Sequence, residues 1–218
     1  MKIFLDTADL NEIRRAASAN LIDGVTTNPS LLAQAAGEED PHELFLAICE
    51  AVDGPISAEV VALEADRMVD EGRRLAGIHD NIVVKVPLTE DGLQACRRLR
   101  DEEIRVNVTL CFSTAQAVLA AKAGATYISP FVGRLDDVGH EGMEVVAEIR
   151  QVYDEYGLET EILAASLRHP RHVLEALLIG ADCATLPPKV LHQLVKHPLT
   201  DVGLAAFLED WKTLNREL

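Results

Sequence analysis

A single lysine interrupts an apolar run, Ile82-Val83-Val84-Lys85-Val86-Pro87. A short run this rich in β-branched residues reads as a strand buried on both faces. An unpaired ammonium is costly there and the group usually neutralises instead. Lys85 is therefore a candidate neutral amine, which is a nucleophile. The plain alternative is a lysine at the strand end that snorkels to solvent. Polar residues recur at the ends of other apolar stretches: Asp6, Asn28, Glu59, Asn107 with Thr109, Ser129, Arg134, and Ser166 with Arg168. Together these residue types suit one chemistry. A neutral lysine attacks a ketone and gives a carbinolamine, then a Schiff base. The iminium is an electron sink that permits cleavage of the neighbouring carbon–carbon bond. Asp6 could take the proton of a sugar hydroxyl. Glu59 with Thr109 could hold the water lost on dehydration. Asn28 and Asn107 could fix hydroxyls, and Arg134, Arg168 and Ser166 could bind a terminal phosphate. Each residue also has a structural reading. Asp6 could cap the next helix and Asn28 could be a turn residue before Pro29. Glu59 could pair with a surface base, and Asn107 and Thr109 could be satisfied core polar groups.

What sets these residues apart is where they recur. Strand-like and helix-like stretches alternate eight times along the chain. The strands are expected at 2–7, 25–27, 56–60, 82–86, 104–110, 126–131, 161–165 and 183–186. The helices between them are expected at 8–20, 29–36, 41–52, 62–76, 91–100, 114–123, 142–156 and 170–178, with closing helices at 190–196 and 200–214. Asp9 is a candidate N-cap with Glu12 in capping-box position, and Gly37 a candidate terminator. Alternation of this kind means parallel strands joined by crossover helices. Eight units in a chain of 218 residues favour a single (β/α)8 TIM barrel over residues 1–218. An open doubly wound sheet is the alternative. It calls for a Gly-rich phosphate loop after the first strand, where Asp6-Thr7-Ala8-Asp9 has no glycine. In a barrel the catalytic groups gather at the C-terminal strand ends. A closed barrel would thus aim all the strand-end residues at one pocket.

Composition narrows the partners. Hydrophobic residues make up 48% of the chain, enough for a large core without disulfides or metals. The net charge of −16 disfavours nucleic acid and anionic lipid, so neither is expected as a partner. The four cysteines, Cys49, Cys96, Cys111 and Cys183, are scattered without metal-ligand spacing and read as buried hydrophobes of a reducing compartment. No apolar run is long enough to span a bilayer, and no basic start precedes an apolar one. A cytoplasmic location is expected.

Several stretches resemble the transaldolase family. They are Asp23-Gly24-Val25-Thr26-Thr27-Asn28-Pro29-Ser30, the run around Lys85, Asn107-Val108-Thr109-Leu110, and Ser129-Pro130-Phe131-Val132-Gly133-Arg134-Leu135-Asp136-Asp137. Ala164-Ala165-Ser166-Leu167-Arg168 and His197-Pro198-Leu199-Thr200-Asp201 also match. The resemblance implies a barrel of class I aldolase type with no metal or organic cofactor. It implies transfer of a dihydroxyacetone unit from sedoheptulose 7-phosphate to glyceraldehyde 3-phosphate, a step of the pentose phosphate pathway. By position, Lys85 matches the Schiff-base lysine, Asp6 the proton-transfer group and Glu59 the water-activating carboxylate. Asn28, Asn107 and Ser129 match residues around the dihydroxyacetone unit, and Arg134, Ser166 and Arg168 the phosphate binders. The chain resembles the compact branch, which also holds fructose-6-phosphate aldolases. Those aldolases tend to carry tyrosine where Phe131 stands and glutamine where Glu59 stands. Phe131 has no hydroxyl to help release the adduct, which favours the transferase; it could equally be barrel core. A barrel that only binds sugar phosphates is the remote alternative. In the compact branch the C-terminal helix commonly packs on a neighbour in pentamers that pair into decamers. The apolar side of Leu204, Phe207, Leu208 and Trp211 fits that role, and fits packing on its own barrel equally well.

Overall fold

The computed structural model describes residues 1–36 and 40–213. The strands are β1 (Lys2–Asp6), β2 (Gly24–Thr26), β3 (Ile56–Glu59), β4 (Ile82–Pro87), β5 (Val106–Cys111), β6 (Tyr127–Pro130), β7 (Glu161–Ala164) and β8 (Cys183–Leu186). The helices are α1 (Leu10–Ser18), α2 (Pro29–Ala36), α3 (Pro41–Ala51), α4 (Ala65–Ala76), α5 (Glu90–Asp101) and α6 (Thr114–Lys122). They continue as α7 (Val132–Asp136), α8 (Gly142–Tyr156), α9 (Pro170–Ile179), α10 (Pro188–Val195) and α11 (Pro198–Thr213). The strands are parallel and pair in chain order, and β8 returns to β1 to close the barrel. The (β/α)8 expectation holds.

The two-residue period of a strand divides the core. Ile82, Val84 and Val86 of β4 face outward into the large apolar layer beneath the helices. Val83 faces the other way, with Phe4, Tyr127, Leu163, Ala165 and Cys183, in a second apolar cluster that fills the barrel axis. The rings of Phe4 and Tyr127 meet edge to face at 6.1 Å in that cluster. Two residues further along the same strands, the same pleat carries Asp6, Lys85, Ser129 and Thr185. The barrel is thus apolar at mid-height and polar at the C-terminal end, as period-2 alternation requires.

Local signals place most boundaries. Asp9 caps α1, its carboxylate accepting from the N–H groups of Asn11 and Glu12. The reciprocal half of the capping box does not form, because Glu12 is drawn to Arg15 and His192. Prolines open α2, α3, α9, α10 and α11, where the missing N–H is no loss. Residues Val132–Asp136, expected as a connection, form α7 instead. The expected helix at 62–76 begins only at Ala65. The Val61 and Ala62 N–H groups bond to the Glu71 carboxylate, at 2.8 and 2.9 Å, rather than continuing a helix backward. Gly37 and Leu214, expected as helix ends, lie outside the described residues. α11 buries no residue, and Leu204, Phe207, Leu208 and Trp211 are exposed, so packing on its own barrel is not what this helix does. Among the described residues no helix is long and apolar enough to cross a membrane.

Candidate active site

Register brings the first group of residues together. Glu59 of β3 stands beside Lys85 of β4, and Lys85 beside Asn107 of β5. Lys85 is buried, 5% exposed. It is not left unpaired, as the burial of an isolated amine suggested. Its Nζ lies 3.0 Å from Glu59 Oε2 and donates to the Thr27 carbonyl at 3.1 Å. A buried ammonium needs such partners. The same contact gives it a base to receive its proton.

Asp6 lies across from Lys85 at the end of β1. Its Oδ1 accepts from the Thr26 hydroxyl at 2.7 Å. Thr26 Oγ1 is 2.6 Å from Thr185 Oγ1. The Thr26 hydrogen is committed to Asp6, so Thr185 donates to Thr26. Burial pushes the Asp6 carboxyl above its ordinary range, while the Thr26 hydroxyl and the charge of Lys85 pull the other way. A carboxylate held up in this manner is suited to proton transfer.

Asn107 is fully buried and its amide is engaged on both sides. It donates to Ser57 Oγ at 3.1 Å and accepts from Ser129 Oγ at 2.8 Å. It therefore holds Ser129 in place. Thr109 Oγ1 is buried and has no protein partner among the described residues. Asn28 caps α2 with its side-chain oxygen on the Leu31 N–H, at 3.0 Å.

These side chains surround a pocket of about 110 Å³ at the C-terminal end of the barrel. Asp6, Thr26, Asn28, Lys85, Ser129, Phe131, Arg134, Ala165, Ser166 and Thr185 line it. A wider depression of about 600 Å³ at the other end is lined by Met1, Lys2, Asp23, Glu161 and their neighbours. It holds neither Lys85 nor the strand-end polar layer. Glu59, Asn107 and Thr109 stand behind the lining rather than in it.

The cationic side of the pocket is built by α7 and the segment after β7. The Arg134 guanidinium carbon sits 4.9 Å above the Phe131 ring, a cation–π contact. Phe131 meets Phe112 edge to face at 5.9 Å, and it also packs on the axial apolar cluster. Ser166 has φ 59, a left-handed conformation that a non-glycine residue keeps only where its surroundings enforce it. Arg168 does not line the pocket. Its guanidinium forks onto both Asp137 oxygens, which holds the Asp137 carboxyl below its ordinary range. Both partners are half exposed. The stem of Arg168 passes over Gly133, whose N–H donates to Ser166 O at 3.0 Å. A methyl at Gly133 would lie 2.5 Å from both Ser166 O and Arg168 Nε. Gly133→Ala is expected to cost about 1–3 kcal/mol of stability, read as a lower melting temperature than the parent's.

The whole chain can now be set beside known proteins. The family model described as Transaldolase/Fructose-6-phosphate aldolase matches residues 3–218. The chain belongs to that family. A probable transaldolase of Thermodesulfovibrio yellowstonii is 56% identical over 216 residues, covering 99% of this chain and 100% of the relative. One of Caulobacter vibrioides is 57% identical over 218 residues, covering 100% of each. One of Thermus thermophilus is 57% identical over 219 residues, covering 97% of this chain and 98% of the relative.

Within a family barrel, three groups beyond those expected from sequence shape the site. Thr26 and Thr185 form the relay onto Asp6, and Ser57 anchors Asn107. All three sit on the inward pleat, Thr26 and Thr185 near the C-terminal ends of their strands and Ser57 lower down, level with Val83. Applying the two-residue period to Val25-Thr26-Thr27, Ile56-Ser57-Ala58 and Ala184-Thr185-Leu186 would have found them. The Asp137 fork had no sequence signal, because it joins residues far apart in the chain.

Proposed function

We propose that this chain is a transaldolase that moves a dihydroxyacetone unit between sugar phosphates through a Schiff base on Lys85. The observation that carries the reading is the buried Lys85 amine, with Glu59 at 3.0 Å and Asp6 in the same pocket. Lys85 passes a proton to Glu59 and its free amine attacks the ketose C2 carbonyl. Glu59, with Thr109 beside the departing oxygen, returns the proton as the carbinolamine loses water. Asp6 takes the proton of the C4 hydroxyl. The C3–C4 bond then breaks, its electron pair enters the iminium as an enamine, and the aldose phosphate leaves. Asn28 and Ser129, the latter held by Asn107, bind hydroxyls of the retained unit. Arg134 and Ser166 receive the terminal phosphate, and Arg168 joins them where the phosphate outcompetes Asp137. An aldose phosphate acceptor enters and the steps run backward, with Asp6 giving up its proton. In the forward pathway direction the donor is sedoheptulose 7-phosphate and the acceptor glyceraldehyde 3-phosphate.

Borohydride added with fructose 6-phosphate should leave a reduced three-carbon adduct on Lys85, read by peptide mass. An unmodified lysine would favour a barrel that only binds sugar phosphates. Incubation with fructose 6-phosphate alone, followed by erythrose 4-phosphate, separates transferase from aldolase. Free dihydroxyacetone formed rapidly before any acceptor is added would support the fructose-6-phosphate aldolase reading. Phe131 favours the transferase, since its ring offers no proton to the enamine. Phe131→Tyr is expected to raise release of dihydroxyacetone relative to transfer by about 10²-fold, the low end of what one acid contributes. An unchanged ratio would count against this role for Phe131.

We infer that α11 packs on a second copy of the chain, as the pentamers and decamers of similar proteins suggest. Supporting this is its row of exposed Leu204, Phe207, Leu208 and Trp211, an apolar stripe that water does not favour. Light scattering should give a multiple of the 23.8 kDa chain mass, and Phe207→Glu should reduce it. A monomeric parent protein would sink the inference.

A further inference from the structure

We propose that His172 is a positioning residue for the phosphate end of the pocket, latching the Ser166–Arg168 segment to α7 while its ring is neutral. The proposal rests on the reading that Arg134 and Ser166 receive the phosphate of the donor sugar. His172 lies in the first turn of α9 and is 7% exposed. Its Nδ1 accepts the backbone N–H of Arg168 at 3.3 Å. Its Nε2 lies 3.2 Å from Asp136 Oδ2. A neutral imidazole has one donor and one acceptor nitrogen. The Arg168 N–H claims Nδ1 as the acceptor, so Nε2 carries the hydrogen and donates to Asp136. Asp136 ends α7, and its other oxygen accepts the Gly142 N–H at 2.9 Å. One ring therefore connects the strained segment that holds Ser166 to the short helix that holds Arg134.

Protonation undoes this connection at one atom. A hydrogen on Nδ1 would face the Arg168 N–H, donor against donor, and that bond is lost. The charged and titratable groups facing the ring are Asp136 on α7, Arg168 and His169 on the preceding segment, and Glu175 on α9 itself. The His169 ring packs on it with centroids 3.7 Å apart. Burial first, then His169, holds the His172 ring below its ordinary range; Asp136 and Glu175 oppose this, and Arg168 adds to it. Loss of the latch is accordingly an acid-side event, below about pH 6.5. With the latch open, the segment loses this tie to α9 and keeps its own contacts, Gly133 N–H on Ser166 O and Arg168 on Asp137, so the left-handed conformation of Ser166 is less firmly enforced. The consequence falls on phosphate binding and leaves the chemistry at Lys85 in place.

The test compares fructose 6-phosphate with unphosphorylated fructose as donors and erythrose as acceptor, so that both give sedoheptulose, near pH 5.5 and about pH 7.5. For the parent enzyme, KM for fructose 6-phosphate is expected to rise several-fold more at acid pH than in the variant His172→Gln. The glutamine amide presents an acceptor and a donor but does not titrate. His172→Gln should keep the neutral-pH KM. His172→Leu should raise KM for fructose 6-phosphate at both pH values, with kcat and the fructose kinetics little changed. An acid rise in His172→Gln equal to the parent's would overturn the proposal. So would a His172→Leu enzyme that loses activity on both donors alike, which is the mark of a merely structural residue. Should the leucine variant fail to fold, the glutamine profile decides alone. A parent enzyme that handles both donors equally well would instead overturn the phosphate-site reading, and the proposal with it.

Discussion

Lys85→Met is expected to reduce dihydroxyacetone transfer by at least about 10⁴-fold and to abolish the borohydride-trapped adduct. No other buried amine lies in the pocket lining, so nothing can replace the nucleophile. Methionine fills much of the same volume and keeps the chain folded. It also strips Glu59 of its cation, and that carboxylate is only 14% exposed. Breaking a buried pair on one side costs about 3–5 kcal/mol, on the order of 10 °C in melting temperature for a chain of this size. The double variant Lys85→Met, Glu59→Gln removes the stranded charge. It should recover most of the stability and none of the activity. Thermal denaturation and transfer assays on both variants therefore separate the two roles of Lys85. A soluble Lys85→Met enzyme with normal turnover would remove this residue from the mechanism.

Asp6→Asn is expected to lower transfer by about 10²–10⁴-fold, the usual share of a general acid or base. Unlike the lysine variant it should still form the Schiff base. Borohydride should then trap an adduct that retains the whole donor sugar, since the carbon–carbon bond stays uncut. Equal amounts of cleaved adduct in parent and variant would show that Asp6 does not carry the proton. The same substitution bears on stability. Burial raises the folded-state pKa of Asp6, so the folded chain binds this proton more tightly than the unfolded chain. Ionisation then opposes folding, and the opposition grows as pH rises from the ordinary carboxylate range through the raised value. Asparagine removes that opposition and can still accept from Thr26. The variant should melt above the parent at neutral pH. The gap should close as the pH falls below about 4, where Asp is protonated folded or not. A site residue whose charged form destabilises the fold is a familiar exchange of stability for activity.

Much of this protein could be read from local pattern alone. The alternation of β-branched runs with amphipathic stretches sets parallel strands and crossover helices, since each period buries one face at a time. Closure followed from counting eight such units without a Gly-rich loop. Prolines and Asp9 mark helix starts for reasons contained in a few consecutive residues. Lys85 and Asp6 stood out because charged groups at the ends of apolar runs are costly unless used or paired. The elements that were misplaced are those where a distant group intervenes. α4 starts late because Glu71, in the middle of that helix, takes the Val61 and Ala62 N–H groups. α7 forms because Val132 and Gly133 donate to Ala165 and Ser166 at the end of the neighbouring strand β7.

The sequence by itself determined the layer order of the barrel and the residue types at its C-terminal end, because both follow from interactions within a few residues and from the two-residue pleat. Which of those residues touch was decided only by the tertiary structure. The pairing of Lys85 with Glu59, the Thr185–Thr26–Asp6 relay, the capture of Arg168 by Asp137 and the bridge made by His172 join residues that are separated in the chain. Their partners are chosen by barrel closure and strand register. A hydrogen bond depends on tenths of an ångström, and that precision exists only once every strand has been seated against its neighbours.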